Sequence, residues 1–258
     1  MESSIASKKV ILPPQNRPGK PRKWIRKAKR ILWSSVFLAI SLPMLYVYIV
    51  RIDLFGLFGG MPGYTAVENP ENDLSSDLIS ADGVSLGRYL RYHRSQIHYN
   101  ELSSYLVNTL LLSEDHRFYG HAGMDFLAYP RVIWGLITFN SAGGGSTITQ
   151  QLAKNLYTLN PEMDGPIADL GPWPKRIVQK TKEWIISIQL EKNFTKEEII
   201  TMYLNTSFFG SNAYGIKVAS ETYFNKQPEN LNIQESAVLV GLLQNPSLFN
   251  PHYRPENS

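Results

Sequence analysis

The chain has 258 residues, 43% hydrophobic, 12% aromatic and 19% charged, which excludes disorder over its whole length and leaves room for one large domain or two small ones. It has no cysteine, so disulfides, thiol catalysis and cysteine-held zinc or iron–sulfur centres are excluded together. The net charge of +4 is unevenly spread: residues 1–30 carry ten Lys or Arg against Glu2 alone, the remainder is net acidic, and a uniformly basic nucleic-acid binder does not fit.

The basic tail, residues 1–30, runs into an uncharged stretch from Ile31 to Val50. Twenty residues at helical rise span roughly 30 Å, the thickness of a bilayer's hydrocarbon core. Trp33 near one end and Tyr46 and Tyr48 near the other suit the two interfaces, and no small-residue cleavage site follows. The excess of cations before the span puts the N-terminus in the cytoplasm and everything after Val50 outside. Residues 51–76, with their Gly, Pro, Asn and Ser, read as a juxtamembrane linker. Asp82-Gly83 between short apolar stretches predicts a hairpin.

From Glu101 onward the period is helical. Leu102, Tyr105, Leu106, Thr109, Leu110 and Ser113 follow the spacing of one buried face. Thr147-x-x-Gln150 and Thr195-x-x-Glu198 have the pattern of capping boxes. Between residues 160 and 174 six Pro or Gly residues predict a long loop. Ile177, Thr181, Trp184, Ile185 and Ile188 form the expected buried stripe of the next helix. The chain is therefore mainly α, with a small β element at the entrance of its folded module.

Three groups can carry chemistry. Glu114, Phe118 and His121 lie at i, i+4 and i+7, which on a helix sets a carboxylate over an aromatic ring and an imidazole. A carboxylate so placed can act as a general base; an ordinary surface acid beside a core Phe has the same spacing. The run from Gly143 to Asn155 is a glycine loop entering a helix, with Gln150, Gln151, Lys154 and Asn155 on its first turns. Free amides at a helix start favour an anion, although the pattern is not a phosphate-binding P-loop. On the third group, Arg176, Lys180, Glu183 and Ser187 succeed one another at three or four residues, a spacing equally usual on a solvated helix face.

In this order the blocks resemble glycosyltransferase family 51, the peptidoglycan glycosyltransferase module of class A penicillin-binding proteins and monofunctional transglycosylases. Glu114, Asp115, Phe118, His121 and Gly123 match the first family motif, and Gly144 to Asn155 match the second without a mismatch. Further matches are Lys180-x-x-Glu183, Tyr203-Leu204-Asn205, Gly210, Gly215-Ile216, Tyr223-Phe224, Asn245-Pro246-Ser247 and Asn250-Pro251. The resemblance runs over about residues 77–252, with 253–258 as an end or the start of a linker. It implies a lysozyme-like, mainly α glycosyltransferase domain with a small membrane-facing jaw, preceded by one transmembrane helix. The apolar run from Phe126 to Phe139, around Arg131, is the candidate jaw segment.

The resemblance also implies a reaction: lipid II is polymerised into β-1,4 glycan with inversion at the anomeric carbon and release of polyprenyl diphosphate. Glu114 corresponds to the family's catalytic base and Glu183 to its second carboxylate, with a divalent cation, Mg or Mn, as an optional helper near Glu183 and no organic cofactor. Lys154, Lys180 and Arg131 are placed to neutralise the diphosphate. Ser146, Gln150, Gln151 and Asn155 correspond to groups holding sugar or phosphate oxygens, and Asp115, Phe118 and His121 complete the substrate-binding set. The implied partners are lipid II, the growing strand, the bilayer and cell-wall assembly proteins, at the bacterial cytoplasmic membrane. The chain departs from the family in having Gln179 where an arginine is usual before Lys180, and in a longer loop over 157–175. No S-x-x-K occurs, so a penicillin-reactive domain is not in this sequence; the chain is monofunctional or shortened, and its ending resembles a linker. A glycan-cutting lysozyme-like enzyme and a weakly active anchored scaffold are the alternative readings.

Overall fold

A computed structural model of the chain describes residues 23–68, 76–82, 85–89, 96–128, 130, 138 and 144–251. The contacts divide it into two units, residues 1–46 and 47–258. The first is the larger part of helix α1, Lys23–Arg51, which runs past the expected 31–50 at its basic start and accommodates Pro43. Its stretch Trp24–Arg51 is, among the described residues, the one helix long and apolar enough to cross a membrane. At about 1.5 Å per residue those 28 residues are roughly 42 Å long, enough for a hydrocarbon core and part of both headgroup layers.

The second unit is mainly helical, as its sequence period predicts. Two antiparallel strands, β1 (Ser76–Ile79) and β2 (Ser85–Tyr89), lie on either side of Asp82 in the chain, with Ser76 opposite Tyr89 and an irregularity between Leu78 and Ile79. Helix α2 is Tyr64–Glu68 and α3 is Ser104–Glu114. Then come α4 (Ile148–Ala153), which continues as a π-helical turn over Lys154–Thr158, and the long α5 (Pro172–Asn193). The remaining helices are α6 (Lys196–Thr206), α7 (Ile216–Phe224) and α8 (Ile233–Gln244). Helix α3 packs on α8, and α4 packs on both α5 and α6. One core joins them, with Leu106, Leu110, Phe118, Ile148, Leu152, Ile186, Leu190, Ile200, Leu204 and Leu239 among its buried residues. Complete capping boxes open α6 at Thr195 and α8 at Asn232, satisfying amides a helix start leaves free.

Several sequence readings change. On α3 the buried residues are Leu106, Val107 and Leu110, while Tyr105 and Ser113 of the expected face are exposed. Thr147 makes only half a capping box: its hydroxyl accepts from the Gln150 amide, but the Gln150 side chain turns inward to the Gly123 carbonyl. The stripe of α5 is displaced: Val178, Thr181, Lys182, Glu183, Ile186, Ser187 and Leu190 are buried, whereas Ile177 and Ile188 are exposed. The core-facing side of α5 carries an ammonium and a carboxylate held by hydrogen bonds, which a hydrophobic period cannot register. The expected loop contains two short 3-10 turns, Pro161–Met163 and Pro166–Leu170.

Residues 51–68 of the expected linker are ordered against the module, with Phe58 and Val67 buried. Residues 1–22 of the basic tail and most of the expected 126–139 jaw segment, Arg131 included, lie outside the described residues.

Candidate active site

Helix α3 ends where the chemistry begins. Glu114 is its last residue, and Asp115 leaves helical geometry at φ −156°. The Asp115 carboxylate then does two things: it accepts the Ile148 amide at 3.1 Å, at the start of α4, and it lies 3.0 Å from His121 Nε2 through both oxygens. Glu114, Phe118 and His121 consequently do not share a helical face. Phe118 starts a separate 3-10 turn and is buried, and His121 pairs with Asp115 rather than lying beneath Glu114. The pair fastens the end of α3 to the start of α4, and so fixes the register between Glu114 and the residues of the second motif.

Gly123 closes this motif for a steric reason. At φ +86° it sits so near α5 that a Cβ would come 2.8 Å from the Ser187 carbonyl carbon and oxygen. Its own carbonyl accepts from Thr147 Oγ1 at 2.7 Å and from Gln150 Nε2 at 3.3 Å. Gln150 is thereby a buried strut between α4 and the 121–123 turn, and it does not reach the cleft.

The cleft itself has a volume of about 520 Å³ and is lined by Ser113, Glu114, Gly144, Ser146, Gln151, Lys154, Arg176, Glu183, Leu243 and Gln244. On one wall Gln151 Nε2 donates to Glu114 Oε2 at 2.8 Å. The other end of the same amide, Oε1, accepts from the Tyr203 hydroxyl at 3.0 Å. Burial, and then the Glu114 charge, push the Tyr203 phenol well above its ordinary pKa, so it remains a donor. The other carboxylate oxygen, Glu114 Oε1, has no hydrogen-bond partner among the described residues.

On the other wall α5 brings its charged ladder inward. Glu183 is buried, with Oε1 3.2 Å from Arg176 Nη1 and Oε2 2.8 Å from Lys180 Nζ. Lys180 also donates to Ser146 Oγ at 2.7 Å, which ties α5 to the residue before the Thr147 cap. Burial lowers the Lys180 pKa; Glu183 opposes that shift, while the Arg176 and Lys154 charges add to it. The spacing that a solvated face would also show is here the wall of a cleft.

Of the expected site residues, the structure brings Glu114, Ser146, Gln151, Lys154, Lys180 and Glu183 together. Asp115 borders a small adjoining cavity with Glu114 and Ser146. Asn155 points at Ser207 Oγ, 3.4 Å away. Gln179 donates to the Thr158 carbonyl and to Asp164, away from the cleft, while Arg176 lines it and supplies a guanidinium there. Tyr203 is the residue that residue-by-residue reading missed as part of the site; its signal was a phenol within an otherwise apolar face of α6.

A divalent cation at Glu183 does not fit these residues. Both carboxylate oxygens are committed to cationic side chains, and among the described residues no three His, Asp or Glu side chains cluster.

The transglycosylase family model matches residues 82–258. Among curated proteins, the chain is similar to penicillin-binding protein 1F of Bacillus subtilis, at 34% identity over 185 residues, which is 71% of this chain and 24% of that protein. It is similar at 30% identity to penicillin-binding protein 1A of Neisseria lactamica and of Neisseria meningitidis, in each case over 89% of this chain and 27% of the relative. The chain thus spans about a quarter of the length of these curated relatives.

Proposed function

The chain belongs to the transglycosylase family, and on that premise we propose that it is a peptidoglycan glycosyltransferase that polymerises lipid II into β-1,4-linked glycan, with inversion at the anomeric carbon and release of polyprenyl diphosphate. The domain matched by the family model, residues 82–258, has the lysozyme-like, mainly helical fold of that family. One observation carries the reading: a single cleft is lined by Glu114, whose buried Oε1 has no hydrogen-bond partner among the described residues, and by a set of cations gathered at Glu183.

The two walls divide the reaction. A sugar 4-hydroxyl placed against Glu114 Oε1 loses its proton to that oxygen as its own oxygen attacks C1 of the donor. Gln151 holds the other carboxylate oxygen, which leaves Oε1, buried and without a hydrogen-bond partner among the described residues, to take the proton. A positioned general base of this kind contributes about 10²–10⁴ in rate. The C1–oxygen bond then breaks toward the diphosphate, which departs as an anion and needs neutralisation rather than a proton. Lys154, Arg176 and Lys180 supply it, and the two ion pairs of Glu183 keep Arg176 and Lys180 aimed while the site is empty of anion. A glycan-cutting enzyme has no anionic leaving group and no use for such a cation set.

Helix α1 makes the chain membrane-anchored. The basic stretch 1–30 belongs on the cytoplasmic side of a bacterial inner membrane, with the catalytic unit outside, where lipid II and the growing strand are met and where cell-wall assembly proteins would join it. The test is incubation of the purified chain with labelled lipid II in detergent. We expect long glycan together with stoichiometric polyprenyl diphosphate. Shortening of added glycan without consumption of lipid II would overturn the reading in favour of a cutting enzyme.

A further inference from the structure

We propose that residues 159–177, between the π-helical turn and the second turn of α5, form a membrane-contacting surface that sits in the lipid headgroup layer. The inference rests on reading α1 as that anchor. It adds a lipid contact apart from the 126–139 segment.

Chain connectivity holds the 53–60 loop near the end of the span. Two residues after α1 ends at Arg51, Asp53 folds the chain back: its carboxylate accepts the amides of Phe58 at 2.7 Å, Gly59 at 3.0 Å and Gly60 at 2.8 Å. Two residues of extended chain reach at most about 7 Å, so the 53–60 loop stays close to the end of the span. Desolvation alone would raise the Asp53 pKa; those three amides and the Lys182 charge outweigh it and hold the carboxyl below its usual range.

That loop is fastened to the 161–171 turns at three points. The Ile167 amide donates to the Leu57 carbonyl at 3.1 Å. Gly59, at φ +78°, and Gly165 lie backbone to backbone, so that a Cβ on either would fall 2.3 Å from the other's nitrogen. Lys182, a buried residue of α5, donates through Nζ to the Gly59 carbonyl and to the Met163 carbonyl, both at 2.6 Å. All of these residues belong to the 47–258 unit. Whatever depth the anchor gives residues 53–60, the 161–171 turns share it.

The fastened segment exposes large apolar side chains. Leu170 is 76% exposed and Trp173 80%, with Leu159 and Ile177 also exposed. Phe55, inside the fastened loop, is 86% exposed and holds a left-handed φ of 59°, a backbone state that an aromatic residue rarely adopts. Trp173 and Ile177 lie at i and i+4 on α5, and Lys175, beside them, is paired with Asp164 at 2.6 Å. Apolar side chains with a tryptophan and a charged rim match the chemistry of the bilayer interface. Continuity with the anchor makes lipid, rather than a protein, the occupant. On the neighbouring face of the same helix Arg176 leads into the cleft, so a lipid-linked diphosphate would pass from headgroup layer to cation set within about one helical turn.

The absence of cysteine makes the test direct. Single cysteines replace Leu170, Trp173, Leu38 within the span, or Glu229, an exposed position on another turn, and each carries an environment-sensitive NBD dye on the full chain in phosphatidylcholine–phosphatidylglycerol vesicles. We expect the dye at 38 to be quenched by doxyl groups deep in the acyl chains. Dyes at 170 and 173 should be blue-shifted and quenched several-fold more than at 229 by doxyl groups near the headgroup. Water-like dyes at 170 and 173, alongside a quenched dye at 38, would overturn this inference alone. A dye at 38 that lipid fails to quench would overturn the anchor reading and this inference with it. Blue-shifted dyes at 170 and 173 that ignore doxyl lipid and crosslink between copies would assign the surface to a second copy instead.

Discussion

Replacing Tyr203 by Phe removes one oxygen from a buried site and leaves the ring in place. The hydroxyl donates to Gln151 Oε1, which commits the other end of that amide, Nε2, to Glu114 Oε2. Without it the amide loses the contact that tells its two ends apart. Rotated by half a turn, it would present an oxygen to the carboxylate and drive Glu114 from its position. The lost phenol–amide bond is worth about 1 kcal/mol, and losing the charge-assisted bond to Glu114 as well adds about 1.5–3 kcal/mol. With partial loss of the second, the barrier rises by roughly 1–3 kcal/mol, which is about 5- to 150-fold in rate. Because the Tyr203 pKa is raised, the neutral phenol donates across the working pH range, and the loss should not vary with pH there.

The assay is the initial rate of glycan synthesis from labelled lipid II over a range of substrate. We expect kcat to fall and KM to hold, with Tm lowered by only about 2–4 °C, as a cost of about 1 kcal/mol implies for a domain of this size. Gln151→Ala supplies the control: in that background Tyr203→Phe should cost nothing further. A Tyr203→Phe enzyme as fast as the parent would refute the reasoning, as would losses that multiply independently.

The lowered Lys180 pKa sets an alkaline limit. Charge on this amine is lost at a pH below its ordinary 10.5, so if the diphosphate needs that charge, the rate falls there. Lys180→Arg, with a guanidinium that stays protonated, should move the fall to higher pH; superimposable pH–rate profiles would contradict this. Lys182→Met keeps the volume but strips two carbonyls of a charged donor, offset in part by removing a buried ammonium. We expect it to destabilise the folded unit by about 2–4 kcal/mol in denaturant unfolding, and an unchanged midpoint would mean that the fastening is immaterial.

Much of the cleft was legible because its residues sit where the chain changes element. Glu114 ends α3, Ser146 precedes a cap, and Gln151 and Lys154 follow a glycine run, each with a polar side chain that packing does not require. The helical spacing of Glu114, Phe118 and His121 misled for a physical reason: Asp115 gains more as a clamp between His121 and the Ile148 amide than as a helical residue. Spacing also misplaced α5, where the apolar Ile177 faces outward and the charged Lys182 and Glu183 inward. Periodicity reads the apolar effect alone, and those two charges are held by hydrogen bonds to residues 123 positions away in one case and 7 in another. The 53–60 fastening has no periodic signal, since two glycines and a returning Asp read as linker until their contacts are seen.

The most direct measurement is polymerisation of labelled lipid II by the Glu114→Gln chain beside the parent. Gln keeps the size and the polar contact with Gln151 but cannot take the acceptor's proton. We expect the parent to make long glycan and the variant to lose at least about 10²-fold in rate with lipid II binding retained. Polymerisation by Glu114→Gln at the parent's rate would contradict the assignment of Glu114 as the base.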